Sequence, residues 1–139
     1  MAEIAITRIL HAPREQVWQA WTEPERLARW WGKRGWSAVL STITLDVRPG
    51  GRFALTSVSN ADGSEMSHDA IDREVVEPER LVWGDDRAVA TVTFADLGDG
   101  RTEMSFRTTV DYTRATRDRA EGGLASAFDR LAESLEEER

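Results

Sequence analysis

The chain has no cysteine, and among its 139 residues 18 Lys and Arg stand against 25 Asp and Glu. The missing cysteine excludes disulfides, thiol nucleophiles and zinc–thiolate sites. The shortage of basic residues leaves a formal net charge of −7 and a pI near 4.9. Nucleic-acid binding needs a basic footprint, so it is not expected; an anionic membrane surface is equally disfavoured. No apolar run approaches the roughly 20 residues that cross a bilayer, so membrane insertion is not expected. The opening MAEIAITRIL has no basic stretch ahead of an apolar one, so a secretory leader is not expected and the cytoplasm is the default location. His11 and His68 are the only histidines, and their spacing matches no metal-ligand pattern. There is no G-x-S-x-G and no phosphate-binding glycine loop. Asp85-Asp86, Glu77 and Glu79 fall at turns, where solvated carboxylates are usual. No metal, no cofactor and no catalytic motif is expected.

Tryptophan, in contrast, is concentrated. Five of the six fall between Trp18 and Trp36, in VWQAWTEPERLARWWGKRGW. Such a cluster in a small chain is either a core wedge or the wall of an apolar pocket. The length is that of one domain, 1–139, with room for a real core.

Residues 3 to 11 are β-branched at Ile4, Ile6 and Ile9 and read as a strand. Pro13 suits the first turn of a helix over 13 to 21, which puts Val17 and Trp21 on one stripe with Trp18 beside them. Thr22 can cap a second helix over 23 to 31, turning Leu27, Trp30 and Trp31 inward until Gly32 stops it. Strands are then predicted over 37 to 48, 52 to 59, 64 to 76, 80 to 85, 88 to 97 and 101 to 111. They are separated by turn signals at Pro49-Gly50-Gly51, Asp62-Gly63, Glu77-Pro78-Glu79 and Gly98-Asp99-Gly100. A helix over about 116 to 137 aligns Leu124, Phe128, Leu131 and Leu135, leaving Asp129, Arg130, Glu133 and Glu136 on the other side. Gly122-Gly123 is expected to weaken its first turns by about 1 kcal/mol per glycine. Hairpin turns imply antiparallel pairing. The expected fold is therefore α+β, a curled antiparallel sheet of about seven strands around one long C-terminal helix.

The segments ITRILHAPREQVWQAWTEPERLARWW, LDVRPGGRF, VVEPERLVW and FDRLAESL resemble, in this order, the activator of heat-shock-protein-90 ATPase-like proteins of the START-like (SRPBCC) superfamily. The resemblance covers almost the whole chain. It implies a helix-grip fold with an internal cavity between sheet and C-terminal helix, in a superfamily whose members bind lipids, hormones or polyketides and include cyclases. It also implies a possible chaperone contact. The chain departs from relatives at Gly123-Leu124, where Gly-Trp is frequent, and at Ala70, where Gly is frequent.

The expected partner is a small hydrophobic molecule, taken up by a monomer or weak dimer. Candidate cavity-wall residues are Trp31, Trp36, Phe53, Leu55, Met66, Trp83, Met104, Phe106, Leu124 and Phe128, with Arg107 and Thr108 available to orient a ligand. Trp18, Trp21 and Trp30 fill the core, and the glycine-punctuated loop from Trp31 to Trp36 is a candidate mobile lid. DVRPGG is read as structural, with Asp46 and Arg48 free to pair on one strand face and Gly50 and Gly51 supplying turn angles. His68 is ambiguous. One strand parity turns it inward with Met66, Ala70, Asp72 and Glu74, adding His68 to the wall. The other buries Ile71 and Val75, leaves His68 outside, and is the preferred one. An alternative function is a cyclase or hydratase using His68 or Asp72, although four residues of strand separate the two by roughly 13 Å.

Overall fold

The computed structural model describes residues 2–85, 88–110 and 114–137; the expectations that touch Asp86 and position 111 lie outside them. Strand β1 (Ala2–Leu10) leads into helices α1 (Arg14–Thr22) and α2 (Pro24–Leu27), then β2 (Trp36–Ala38), a 3₁₀ turn (Leu40–Thr42) and β3 (Thr44–Leu45). Strands β4 (Arg52–Ser59), β5 (Glu65–Val76), β6 (Arg80–Gly84), β7 (Val89–Gly98) and β8 (Arg101–Val110) follow, and α3 (Arg114–Glu137) comes last. Every pairing is antiparallel, in the order β1-β8-β7-β6-β5-β4-β2, with β3 also on β4. The result is the helix-grip arrangement, a curled sheet wrapped around α3.

Register decides which side chains meet. Ile6 lies opposite Phe106, Val92 opposite Phe106 on its other edge, Phe94 opposite Met104, and Phe53 opposite Ala70. Directly opposed residues share a face, so these form one continuous buried surface. Helix α1 adds Val17, Trp18 and Trp21 at one end of it, where Trp18 meets Phe94 edge-on at 6.0 Å and Trp21 meets Trp83 at 5.5 Å. Thr102, fully buried between β1 and β7, donates its hydroxyl to Ala12 O at 2.7 Å and ties the β1–α1 corner to the sheet.

Several local expectations are corrected. The second helix ends at Leu27, because Arg29 and Trp30 N–H bond three residues back, to Arg26 O and Leu27 O, and the chain leaves through Gly32 at φ +93°. Thr22 does not cap it; its hydroxyl donates back to Trp18 O at 2.9 Å. The span 37 to 48 is not one strand. Thr42 Oγ1 accepts the Thr56 N–H at 2.9 Å and donates to Val39 O at 2.6 Å, so a side chain replaces the ladder and a 3₁₀ turn splits β2 from β3. Arg130 is not on a solvent face.

Helix α3 has two different halves. From Ala127 to Leu135 its inner stripe is buried: Phe128, Leu131 and Leu135 are each no more than 1% exposed. From Thr116 to Ser126 the helix is only half-buried or exposed. The sequence explains the difference, since the first half carries Ala120, Gly122, Gly123 and Ala125, too small to reach the sheet. One end of the grip is packed and the other is left open.

Candidate functional site

Under that first half of α3 lies a cavity of about 720 Å³. Its floor is the inner face of β5 to β8 and β1, at Ala70, Trp83, Gly84, Ala90, Phe106, Thr108 and Ile4. Its roof is α3 at Thr116, Arg119, Ala120, Gly123, Leu124, Ala127 and Phe128. Trp21 and Trp30 close the deep end, and Trp31 to Lys33, Trp36, Ser57, Met66 and His68 form the side. Rings dominate: Trp31 packs on Phe53 at 5.3 Å and His68 at 5.1 Å, and Phe106 meets Phe128 at 5.4 Å.

Of the residues singled out in the sequence, Trp31, Trp36, Met66, His68, Trp83, Phe106, Leu124 and Phe128 border this space. Phe53, Leu55 and Met104 do not. Phe53 packs against the rings of Trp31 and His68, Leu55 is buried opposite His68 in the ladder, and Met104 is buried opposite Phe94 with no exposure at all. Arg107 points away from the cavity, in an exposed ion pair with Glu3 at 3.4 Å. Thr108 borders it and donates its hydroxyl to Val89 O at 3.1 Å. Trp21 and Trp30, assigned to the core, are buried and also reach the deep wall.

His68 was placed on the wrong side by the preferred parity. Ala70 and Asp72 are buried and Ile71 is 46% exposed, so the inward face is that of His68. A bulge between Asp72 and Glu74 shifts the register and swaps faces, which returns Val75 inward and sends Glu74 out. Both parities hold, each over half of β5. The imidazole is sandwiched between Trp31 and Phe53, at 5.1 and 4.9 Å. Burial lowers its pKa, opposed by the nearby Asp69 carboxylate, and the ring is neutral at neutral pH. Its Nε2 has no hydrogen-bond partner among the described residues.

The Trp31–Trp36 loop is held down rather than free. Arg130 reaches from α3 beneath it and donates from Nη1 to Gly32 O at 2.7 Å and Trp36 O at 3.1 Å, with Nη2 on Arg29 O at 3.2 Å. From the same face of α3, Ser126 Oγ accepts the Arg34 N–H at 3.0 Å and Glu133 pairs with the Arg34 side chain. Spacing alone put Arg130 on a solvated side. Its carbonyl partners are nearly 100 residues away in sequence, and no local signal marks them.

Asp72 is separate from this site. It is buried opposite Trp83 and does not border the cavity. Burial, with a smaller contribution from Asp46, raises its pKa to about 6. An unfolded Asp ionises near 3.8, so across the interval up to about 6 the folded chain keeps a proton the unfolded chain has lost. Stability contributed here falls as pH rises through that window and levels off above it. Asp72→Asn is expected to be more stable than the parent at pH 7 by roughly 1–3 kcal/mol and no more stable at pH 4. Urea unfolding of both proteins at the two pH values checks it, and a difference that does not change with pH would sink it.

A family model for the Activator of Hsp90 ATPase homolog 1-like proteins matches residues 11–136. The chain belongs to that family. A crystal structure from Nitrosomonas europaea shares the fold at TM-score 0.85, with 22% identity over 99% of this chain and 96% of that one. A Chromobacterium violaceum protein matches at TM-score 0.87, with 24% identity over 98% and 99%. An Activator of Hsp90 ATPase homolog 1-like protein from Aeromonas hydrophila matches at TM-score 0.80, with 22% identity over 97% and 92%. At these identities the likeness is one of fold. No curated protein matches the chain. Among the described residues no helix is long and apolar enough to cross a membrane, and no group of three His, Asp or Glu is placed to hold a metal ion.

Proposed function

We propose that the protein binds and carries a small hydrophobic molecule in the cavity under the first half of α3. One observation carries this reading: a space of about 720 Å³, walled mainly by aromatic and small apolar side chains, between the sheet and the first half of α3. Cavities of this size and lining suit drug-sized ligands. Leaving such a volume open costs packing energy, and the small residues of α3 maintain it. The enzyme reading has less support. Its proposed acid and base, His68 and Asp72, lie apart, and only His68 borders the cavity. For a chaperone contact the family name is the sole support.

Native mass spectrometry of freshly purified protein is expected to show a co-purifying molecule of a few hundred daltons that organic extraction removes. A filled variant gives the control. A Cβ at Gly123 would meet nothing within 4 Å. Gly123→Leu should therefore project into the cavity and raise stability by about 1 kcal/mol through helix propensity, while lowering occupancy at least tenfold. A variant that is destabilised, or that retains the ligand at parental occupancy, would argue that no functional space exists there.

A further inference from the structure

A molecule that fills the cavity has to enter it, on the reading above that it holds one. Trp21, Trp83 and Phe106 on its walls are each no more than 5% exposed, so a ligand packed on them needs part of the enclosure to move. Much of that enclosure is held. The floor is a continuous antiparallel ladder in the order β1-β8-β7-β6-β5. The Trp31–Trp36 side carries the Arg130 bonds to Gly32 O and Trp36 O, and Ser126 accepts the Arg34 N–H. Trp21 and Trp30 belong to the packed core. The roof, the first half of α3, is different.

Little apolar burial holds it. No side chain from Thr116 to Ser126 is buried, whereas Ala127, Phe128, Leu131, Ser134 and Leu135 all are. Polar anchors cluster from Ser126 onward, with Asp129 paired to Arg8 at 3.6 Å, Arg130 under the loop and Glu133 on Arg34. Ahead of them, Arg117 donates to Glu3 O at 3.1 Å and otherwise pairs within the helix, with Asp118 and Glu121. Between the anchored and unanchored stretches stand Gly122 and Gly123. A Cβ on either would meet nothing within 4 Å, and neither is among the glycines at positive φ. Neither packing nor backbone geometry requires glycine there. Each one nevertheless disfavours the helix locally by about fivefold relative to alanine. Segments with few buried contacts open at lower free energy than the core, and a glycine pair concentrates the opening at one point.

We propose that Thr116 to Glu121 form the gate of the cavity, unwinding ahead of Gly122-Gly123 to admit and release the ligand while the second half of α3 stays docked. The probe is N-phenyl-1-naphthylamine, an uncharged dye that fluoresces in apolar surroundings, added to the full chain. Stopped-flow mixing gives its entry rate and dilution its exit rate. Gly122→Ala adds one methyl in open space, at a position off the cavity wall. Entry and exit should both slow by about fivefold. Kd should stay at the parental value, because opening becomes equally rarer with and without dye. Amide exchange at 118 to 122 should slow by the same factor, and in the parent it should be faster there than at 128 to 135. Arg117→Met, which frees Glu3 O, should raise both dye rates by roughly two- to fivefold.

Equal protection from 118 to 135 in the parent would overturn the hinge. Dye rates unchanged in Gly122→Ala while the gate amides slow would put the entrance elsewhere, overturning the gate and leaving the carrier reading intact. A slower exit alone, with a tighter Kd, would also overturn it, since the methyl would then act on bound dye rather than on opening. No bound dye and no co-purifying molecule would overturn the carrier reading, and the gate with it.

Discussion

Replacing Arg130 with methionine is expected to destabilise the protein by about 3 kcal/mol and to loosen the Trp31–Trp36 loop selectively. Five backbone carbonyls converge on this guanidinium, those of Arg29, Trp31, Gly32, Lys33 and Trp36, at 2.7 to 3.4 Å. Nη1 carries two hydrogens, so the contacts with Gly32 O and Trp36 O, the two shortest from that nitrogen, are the full bonds, with Nη2 on Arg29 O. Hydrogen bonds from a charged donor contribute about 1.5–3 kcal/mol each. Some of that is recovered when the freed carbonyls of an exposed loop meet water, which sets the net figure near the value of two bonds. Burial lowers the Arg130 pKa first, and the neighbouring Arg34 lowers it further against an opposing Glu133, yet a guanidinium stays protonated throughout the working range. Arg130→Lys keeps the charge and loses the fork, so it should recover less than half of the loss. Urea unfolding gives the stability, and amide exchange at residues 32 to 36 gives the local effect. A methionine variant within 1 kcal/mol of the parent, with loop amides exchanging at the parental rate, would mean the clamp is incidental.

This clamp also marks where the sequence stopped being legible. Apolar segments bounded by turn signals placed β1, β4 to β8 and α3 almost to the residue, although β4 and β6 bury three consecutive residues and do not alternate. The pattern failed between Val39 and Thr44, where Thr42 takes over the backbone bonds, and across Asp72–Glu74, where a bulge makes one strand obey two parities. Both are side-chain or single-residue events that a repeat of two cannot register. In the candidate site, the large aromatics were visible as a cluster, but the space they border was not. A cavity depends on what is small, and Ala120, Gly123, Ala70 and Ala90 carry no signal until sheet and helix face each other. Leu55 and Met104 show the reverse. They lie on inward faces as expected and are buried in the core, yet neither borders the cavity.

Gly51→Ala is expected to be among the most damaging single-methyl additions in the chain, at about 3 kcal/mol or more. A Cβ built on Gly51 would lie 1.9 Å from Asp46 O and 2.8 Å from Asp46 C, both backbone atoms. Flexible side chains can move aside, but this carbonyl is fixed by its surroundings. Asp46 N–H donates to Arg52 O at 3.0 Å, Gly51 N–H to Arg48 O at 2.8 Å, and the Arg48 guanidinium grips the Asp46 carboxylate at 2.8 Å. The turn is also docked on β5, with Gly50 N–H donating to Asp72 O at 2.8 Å and Asp72 N–H to Gly51 O at 2.9 Å. Relieving the clash therefore means giving up several backbone bonds together, which places the substitution in the upper tail of single-residue effects. Gly50 supplies the internal comparison. Its φ of +85° disfavours an L side chain, but a Cβ there meets nothing within 4 Å, so Gly50→Ala should cost only the left-handed penalty of about 1–2 kcal/mol. The two variants differ by one position and by mechanism, one steric and one conformational. Urea midpoints for both decide it: equal losses would mean that the Asp46 carbonyl yields freely and that the DVRPGG turn is not the rigid brace for β5 that its bonds describe.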